Sequence, residues 1–159
     1  MHIEEILNSM GDKLYNYLTI KLSSPLDAED VLQEVFCRLV RYRVRFRFIR
    51  NPSAYVFRVA RNEAIRFLKK RTRNPETHRS VEEFSKVIQD NLTGLDNIAL
   101  NRAAEALAQI PEDQREVIIL RFFEELSFKE ISSVCGVSLN TAASRYRYGM
   151  QKLRILLEG

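Results

Sequence analysis

The stretch "SFKEISSVCGVSLNTAASRYRYGMQKLR", Ser127 to Arg154, decides the fold of the C-terminal part of the chain. Its apolar residues predict a short helix, a turn at Gly136 and a longer helix that begins near Leu139. Gly136 suits the turn because glycine adopts a positive φ without the steric penalty of a Cβ. Ser138 can cap the second helix. This spacing is typical of a helix-turn-helix, and an ordinary helical hairpin is the alternative.

The start of the second helix carries side chains that suit duplex DNA. Short polar groups can hydrogen-bond to base edges, and arginines can pair with phosphates. The candidates for duplex contact are Ser138, Asn140, Thr141, Ser144, Arg145 and Arg147. The apolar contacts that fix the two helices at a steep angle are expected from Ile131, Val134, Val137 and Leu139.

Helical periodicity also dominates the rest of the chain. Apolar residues at three- and four-residue steps predict helices over 3–22, 23–42, from about 52 onward, 96–109 and 112–124. In the second of these the buried face is expected to contain Val31, Leu32, Val35, Phe36, Leu39 and Val40. Arg43 to Arg50 is predicted to be a loop between two helices. A strand is the alternative, although its charges would lack acidic neighbours in a sheet.

The periodicity fades between Thr72 and Leu95, where Asn74–Pro75 and Gly94 interrupt the sequence. We predict a linker there, with at most one helical turn near 81–88. The fold class is therefore all-α. Two small helical domains, 1–72 and 96–159, are joined by a flexible linker over 73–95, and the C-terminal domain contains the helix-turn-helix.

Length and composition exclude several classes of protein. The 159 residues are 45% hydrophobic, which is enough for packed cores in a globular chain. No apolar run is long enough for a membrane span, and the first residues do not form a signal peptide, so no membrane insertion is expected. Cys37 and Cys135 lie far apart without metal-binding spacing, which predicts reduced, inert thiols in a cytoplasmic protein. Neither a metal nor a cofactor is predicted.

Charge is distributed in alternating blocks. Residues 1–37 hold seven acids and two lysines, whereas residues 38–73 hold thirteen Lys/Arg against Glu63 alone. Residues 74–126 hold eleven acids and five bases, and residues 127–159 hold five bases and two acids. The chain thus presents two separate electropositive segments, of which the first is much the stronger. Nucleic acid is the partner that such surfaces most often bind.

The strongly basic stretch "RYRVRFRFIRNPSAYVFRVARN", Arg41 to Asn62, alternates arginines with aromatic and branched residues. Arginines pair with phosphates, and exposed rings between them provide faces on which unstacked bases can lie. Duplex binding would not require the rings, so the pattern favours a single strand or a duplex being opened. The candidate rings are Phe46, Phe48, Tyr55 and Phe57. The alternative is that the rings are core residues and the arginines a solvated face.

A row of carboxylates precedes the basic block. Asp27, Asp30 and Glu34 fall at i, i+3 and i+7, and so share one helix face. Paired acids can bind a metal or transfer protons, which leaves a metal-dependent nuclease as one hypothesis. No histidine accompanies them, however, and a solvated helix start or a basic protein partner explains them better. No catalytic residue is predicted, and the chain is not expected to be an enzyme.

Three segments together resemble one family. "DAEDVLQEVFCRLVR", "NPSAYVFRVARNEAIRFLKKRTR" and "IPEDQREVIILRFFEELSFKEISSVCGVSLNTAASR" are similar, in order and spacing, to bacterial ECF-type sigma factors of the sigma-70 family. The resemblance covers most of the chain outside the linker and the first twenty or so residues. It implies a subunit that directs RNA polymerase core to specific promoters and assists promoter melting.

The resemblance also implies residue roles. Contacts to the clamp coiled coil of the polymerase core would come from Asp27, Asp30, Gln33, Glu34 and Phe36. The helix within 110–123 would lie on the polymerase flap. The minus-ten element would be captured by Arg47, Phe48, Arg50, Asn51, Tyr55, Arg58, Arg61, Asn62 and Arg66. The helix-turn-helix, with the six duplex candidates already named, would read the minus-thirty-five element.

Two positions depart from the family pattern. Ala143 replaces a usual lysine, and Arg66 replaces a usual aspartate. The resemblance therefore implies the general role and not a promoter sequence. Family members are commonly held by an anti-sigma factor, which makes such a protein a further expected partner. The alternative function is a two-domain helix-turn-helix regulator that binds duplex DNA without polymerase core.

Overall fold

The computed structural model describes residues 3–71 and 97–158, and within these ranges all regular structure is helical. The all-α prediction is confirmed. The helices within these ranges are α1 (Ile3–Leu22), α2 (Pro25–Arg41), α3 (Arg43–Phe46), α4 (Pro52–Arg71), α5 (Asn97–Ala108), α6 (Glu112–Phe122), α7 (Phe128–Cys135) and α8 (Leu139–Glu158). The chain divides into two compact units: the first contains α1–α4, and the second contains α5, α6, α8 and most of α7. The predicted linker 73–95 and its helical turn lie outside the described residues.

In the first unit α1, α2 and α4 pack against one another around a shared core. Leu14 and Leu18 of α1 and Val35 of α2 are completely buried. Tyr17 and Phe57 meet edge to face, with ring centroids 5.7 Å apart. Of the six residues expected on the buried face of α2, Val40 is an exception, because it is 46% exposed at the end of the helix.

Side-chain caps fix where the helices of this unit begin. The Ser24 hydroxyl accepts a hydrogen bond from the Asp27 amide at 3.2 Å, and Pro25 occupies the first turn of α2. The Asn51 Oδ1 accepts from the Ala54 amide at 3.1 Å at the start of α4. The serine and proline signals in the sequence therefore mark these helix starts correctly.

The prediction of a loop over Arg43 to Arg50 is wrong for its first half, because Arg43–Phe46 forms α3. The Arg45 amide donates to the Tyr42 carbonyl at 3.0 Å, and the Phe48 amide donates to the Arg45 carbonyl at 3.1 Å. These local bonds satisfy backbone groups that a strand would have paired with a neighbouring strand. The described residues contain no strand, so the strand alternative fails as well.

In the second unit α6 packs on α8, and α5 also contacts α8. Gly149 is buried at the close approach of α6 and α8, where a Cβ would lie 2.8 Å from Ile118 Cδ1. Burial lowers the pKa of the Arg115 guanidinium of α6, and Glu112 partly opposes this shift.

The helix-turn-helix forms as predicted. α7 ends at Cys135, and Gly136 turns the chain with a φ of +66°. Ile131 and Val134 of α7 are buried. Leu139, the first residue of α8, is 52% exposed, so only about half of its side chain is covered.

Candidate nucleic-acid interface

The basic segment of the first unit presents its cations to solvent. Arg47 and Arg50 are exposed between α3 and α4, Arg58 and Asn62 are exposed along α4, and Arg61 is half-buried. With Arg66, which is also exposed, these side chains are the potential phosphate ligands of the segment. We call the exposed residues from Arg43 to Arg66 the arginine surface.

The aromatic residues of this segment divide into two groups. Phe48 is 83% exposed, so its ring is accessible to an unstacked base. Phe46 is only 7% exposed and meets Tyr55 edge to face at 5.8 Å, while Phe57 is 1% exposed in the core. The prediction that Phe46 and Phe57 offer stacking faces is therefore wrong. Tyr55 is half-buried, which leaves Phe48 as the most accessible of the four rings.

Two other minus-ten candidates have structural contacts of their own. Asn51 caps α4 through its side-chain oxygen. Arg66 forms an ion pair with Glu63, with 3.2 Å between its NH1 and Oε1. Sequence reasoning did not assign a role to Glu63, although its position as the one acid in a block of thirteen cations was a visible signal.

The exposed face of α2 carries Asp30, Gln33 and Glu34. Asp27 is buried instead. Its two carboxylate oxygens lie 2.6 and 3.0 Å from the two terminal nitrogens of the Arg71 guanidinium. Phe36 is half-buried. We call the exposed residues of α2 from Leu26 to Cys37 the α2 face.

Two residues of the α2 face were missed by sequence reasoning. Leu26 is 75% exposed, one helical turn before Asp30. Cys37 is exposed at the other end of this face. Their spacing of three to four residues from the acidic positions was a signal available in the sequence.

The carboxylate row does not form a metal centre. In the ranges that the structure describes, no group of three or more His, Cys, Asp or Glu side chains could hold a metal ion. Asp27 is instead committed to Arg71 of α4.

At the start of α8, the duplex candidates differ in accessibility. Ser138 caps the helix by accepting from the Thr141 amide at 3.1 Å, and its hydroxyl donates to Thr141 Oγ1 at 2.8 Å. Asn140 and Arg147 are exposed, whereas Ser144 is half-buried. The predicted cap is confirmed, and Asn140 and Arg147 are the candidates most open to a groove.

Arg145 of the same helix is partly constrained. Its Nε lies 3.5 Å from the Asp113 Oδ2 of α6, and its side chain is 29% exposed. The pair therefore connects the start of α6 to the recognition helix. Arg147 lies over the Tyr148 ring, with 5.3 Å between the guanidinium carbon and the ring centroid.

Comparison with known proteins matches each unit to a described family region. The model for sigma-70 region 2 matches residues 6–74, and the model for sigma-70 region 4 matches residues 100–153. None of the described helices combines the length and apolar character that a membrane crossing requires.

Several characterised proteins are similar along most of their length. RNA polymerase sigma factor SigV of Bacillus subtilis is 30% identical over 138 residues, which cover 82% of this chain and 76% of SigV. ECF RNA polymerase sigma factor SigW of the same organism is 25% identical, covering 94% of this chain and 86% of SigW. The solved structure of sigma factor RpoE from Bartonella quintana, in complex with the anti-sigma factor NepR, superposes with a TM-score of 0.76 at 23% identity, and the match covers 98% of this chain and 96% of RpoE.

The first unit carries an exposed arginine surface and matches sigma-70 region 2, and the helix-turn-helix unit that follows matches region 4. Together the two matches define a transcription initiation factor. The chain belongs to the sigma-70 family of RNA polymerase sigma factors, in the ECF group. The comparisons give no support to the alternative of a regulator that acts without polymerase.

Proposed function

We propose that this sigma factor directs RNA polymerase core to promoters by dividing three tasks among three surfaces. The α2 face binds the polymerase, the arginine surface with Phe48 captures the opened minus-ten strand, and the start of α8 reads the minus-thirty-five element as duplex. The observation that carries the proposal is the exposure of Phe48, at 83%, within a segment whose neighbouring arginines are also exposed.

The free energy of base stacking on Phe48 is comparable with the cost of removing a base from its duplex. Stacking of one base on an exposed ring contributes roughly 1–3 kcal/mol. Removing a base from its duplex costs a few kcal/mol, so one ring offsets only part of that cost. Arg47 and Arg50 flank Phe48 and can supply the remainder through phosphate contacts. The ring and its flanking cations therefore form one functional unit in this proposal.

Duplex reading is assigned to α8. Asn140 lies at its exposed N-terminal end, where side chains and backbone amides can approach a groove and a phosphate. Arg147 lies two turns further along and is exposed as well. Ser138 and Thr141 bond to each other and fix the start of the helix, and Arg145 is oriented by Asp113. We infer that these three contribute to binding mainly by shaping the end of the helix that enters the groove.

Polymerase binding is assigned to the α2 face. Asp30 and Glu34 are exposed carboxylates one turn apart, with Gln33 beside them, and they suit a basic partner surface. Asp27 contributes indirectly in this scheme, because its ion pair with Arg71 holds α2 against α4. Phe36 would contribute its exposed part only. The helix α6, within 110–123, is the proposed contact to the polymerase flap.

Regulation by a protein partner follows from the same family membership. The RpoE structure that this chain resembles contains the anti-sigma factor NepR. We infer that an anti-sigma factor also holds this chain until a signal releases it, and that both proteins meet in the cytoplasm.

Run-off transcription tests the proposed function. Purified core polymerase is supplied with a library of promoter fragments, with and without the full chain. We expect defined transcripts only when the chain is present, from fragments that share two spaced elements. Transcription that is independent of the chain, or a chain that binds fragments but never supports a transcript, would contradict the proposal.

A further inference from the structure

Glu63 is the one acid in the block 38–73, and the structure places it in an unexpected environment. It is only 6% exposed, between α2 and α4. Its Oε1 forms ion pairs with Arg38 of α2 and with Arg66, one turn further along α4. A carboxylate this deeply buried requires such partners, because an unpaired buried charge is strongly unfavourable.

Arg66 is held at one end and open at the other. Its NH1 lies 3.2 Å from Glu63, yet 51% of its side chain remains exposed. A guanidinium carries five N–H donors, so the bond to Glu63 leaves others available for a phosphate. A side chain fixed before binding also loses less conformational entropy when it binds. The geometry is that of a phosphate ligand oriented in advance.

Plain electrostatics would not place a carboxylate here. Glu63 is buried next to Arg66 of the arginine surface, and from there its negative charge repels the phosphates that the surface is proposed to bind. A compensating benefit is therefore required. The orientation of Arg66 is such a benefit. Glu63 and Arg66 line a cleft of about 330 Å³, and Asp30, Glu34 and Lys70 line it as well. An Arg66 released from Glu63 could turn toward the other two acids and away from DNA.

We propose that Glu63 is a positioning residue for strand capture: supported by Arg38, it holds Arg66 in the orientation that pairs with phosphates of the opened strand. This inference rests on the proposed assignment of Arg66 to the minus-ten element. It extends that assignment by naming a residue that acts through Arg66 without touching DNA.

The test measures binding of the full chain to a short fluorescein-labelled single strand of mixed sequence. Glu63→Gln keeps the size of the side chain and removes its charge. If positioning dominates, affinity falls about three- to tenfold, as expected for a lost charge-assisted hydrogen bond. If charge alone matters, affinity rises, since a repulsive group has been removed. The two accounts therefore predict opposite changes in affinity for Glu63→Gln.

A double-mutant cycle identifies the residue through which Glu63 acts. Arg66→Ala should weaken binding, and adding Glu63→Gln to it should cause no further loss. Glu63→Asp keeps the charge and should recover part of the affinity. As the matched charge control, Glu34→Gln removes one negative charge from the same cleft and should tighten binding slightly. If thermal unfolding shows that the Glu63→Gln chain is not folded, Arg38→Gln is used instead, because it removes the ion pair that supports Glu63. Its loss of affinity should likewise disappear when Arg66 is replaced by Ala.

The outcomes separate the two proposals. If Arg66→Ala weakens binding but Glu63→Gln leaves it equal or tighter, the positioning role fails and the function of the arginine surface stands. A Glu63→Gln loss of equal size with and without Arg66 also overturns the positioning role. If Arg66→Ala has no effect on binding, the assignment of Arg66 to the opened strand fails, and the role of Glu63 fails with it.

Discussion

At the scale of single residues, two phenylalanines two positions apart have opposite environments. Phe46 is 7% exposed and Phe48 is 83% exposed. The alternating sequence predicted rings among arginines but not which ring faces outward, because that depends on the short helix α3 and on the Tyr55 ring beside Phe46. The ion pairs Asp27–Arg71 and Glu63–Arg38 could not be predicted for a related reason: each joins α2 to α4.

Phe48→Ala tests the exposed ring. The substitution removes the stacking face without disturbing the core, so binding to a labelled single strand should weaken about tenfold. Binding to a duplex that carries the upstream element should be unchanged. Phe48→Tyr keeps the ring and serves as the matched variant, with affinity near that of the native chain. Equal losses on single strand and duplex would show that Phe48 has no role specific to opened DNA.

Asp27→Asn tests the internal ion pair. Asparagine leaves the Arg71 guanidinium without its carboxylate partner, and we expect the first unit to lose about 1–2 kcal/mol of stability in denaturant unfolding. Glu158→Gln breaks the exposed pair with Arg154 and should leave the unfolding midpoint unchanged. A midpoint for Asp27→Asn that matches the native chain would mean that the pair does not stabilise the unit.

At the scale of helices, most of the fold could be predicted from apolar spacing and capping residues. The predicted short helix before Gly136 and the predicted longer helix from near Leu139 agree with α7 and α8. The helix α3 was missed because four residues are too few to show a period. Gly149 gave no sequence signal either, since a glycine inside a helix reveals a close approach only when the neighbouring helix is known.

Gly149→Ala tests the packing of α6 on α8. Alanine gains roughly 0.5–1 kcal/mol of helix propensity over glycine. The new Cβ would lie 2.8 Å from Ile118 Cδ1 and 3.2 Å from Gln114 Cβ, and such overpacking costs about 1–3 kcal/mol. The melting temperature should therefore fall. Gly11→Ala is the matched control, because its nearest new contact is 3.9 Å away and the melting temperature should rise or stay constant. A rise for Gly149→Ala would show that the two helices separate at little cost.

Charge reversal tests the α2 face. Asp30→Lys with Glu34→Lys should abolish capture of core polymerase by the tagged chain, because both exposed carboxylates would then repel a basic partner surface. Glu105→Lys reverses one exposed charge on α5, half the charge change of the double variant, and should leave capture intact. Undiminished capture by the double reversal would exclude this face as the polymerase contact.

At the scale of the whole molecule, the order of charge blocks follows the order of proposed tasks. An acidic segment precedes a block of thirteen cations opposed by Glu63 alone, and a second basic segment ends the chain. The family regions match these parts at residues 6–74 and 100–153. The family could be recognised from the sequence because its motifs occur together, whereas the promoter sequence could not be predicted, because Arg66 and Ala143 differ from the residues usual in the family pattern.

The central claim is that this chain, joined to polymerase core, holds promoter DNA open. Permanganate reactivity of thymines around the minus-ten element measures this directly on a promoter found by run-off transcription. We predict reactive, unpaired thymines with core and chain together, none with either component alone, and a marked decrease with Phe48→Ala. Promoter thymines that stay unreactive in the presence of both components, or that react equally with core alone, would contradict the account.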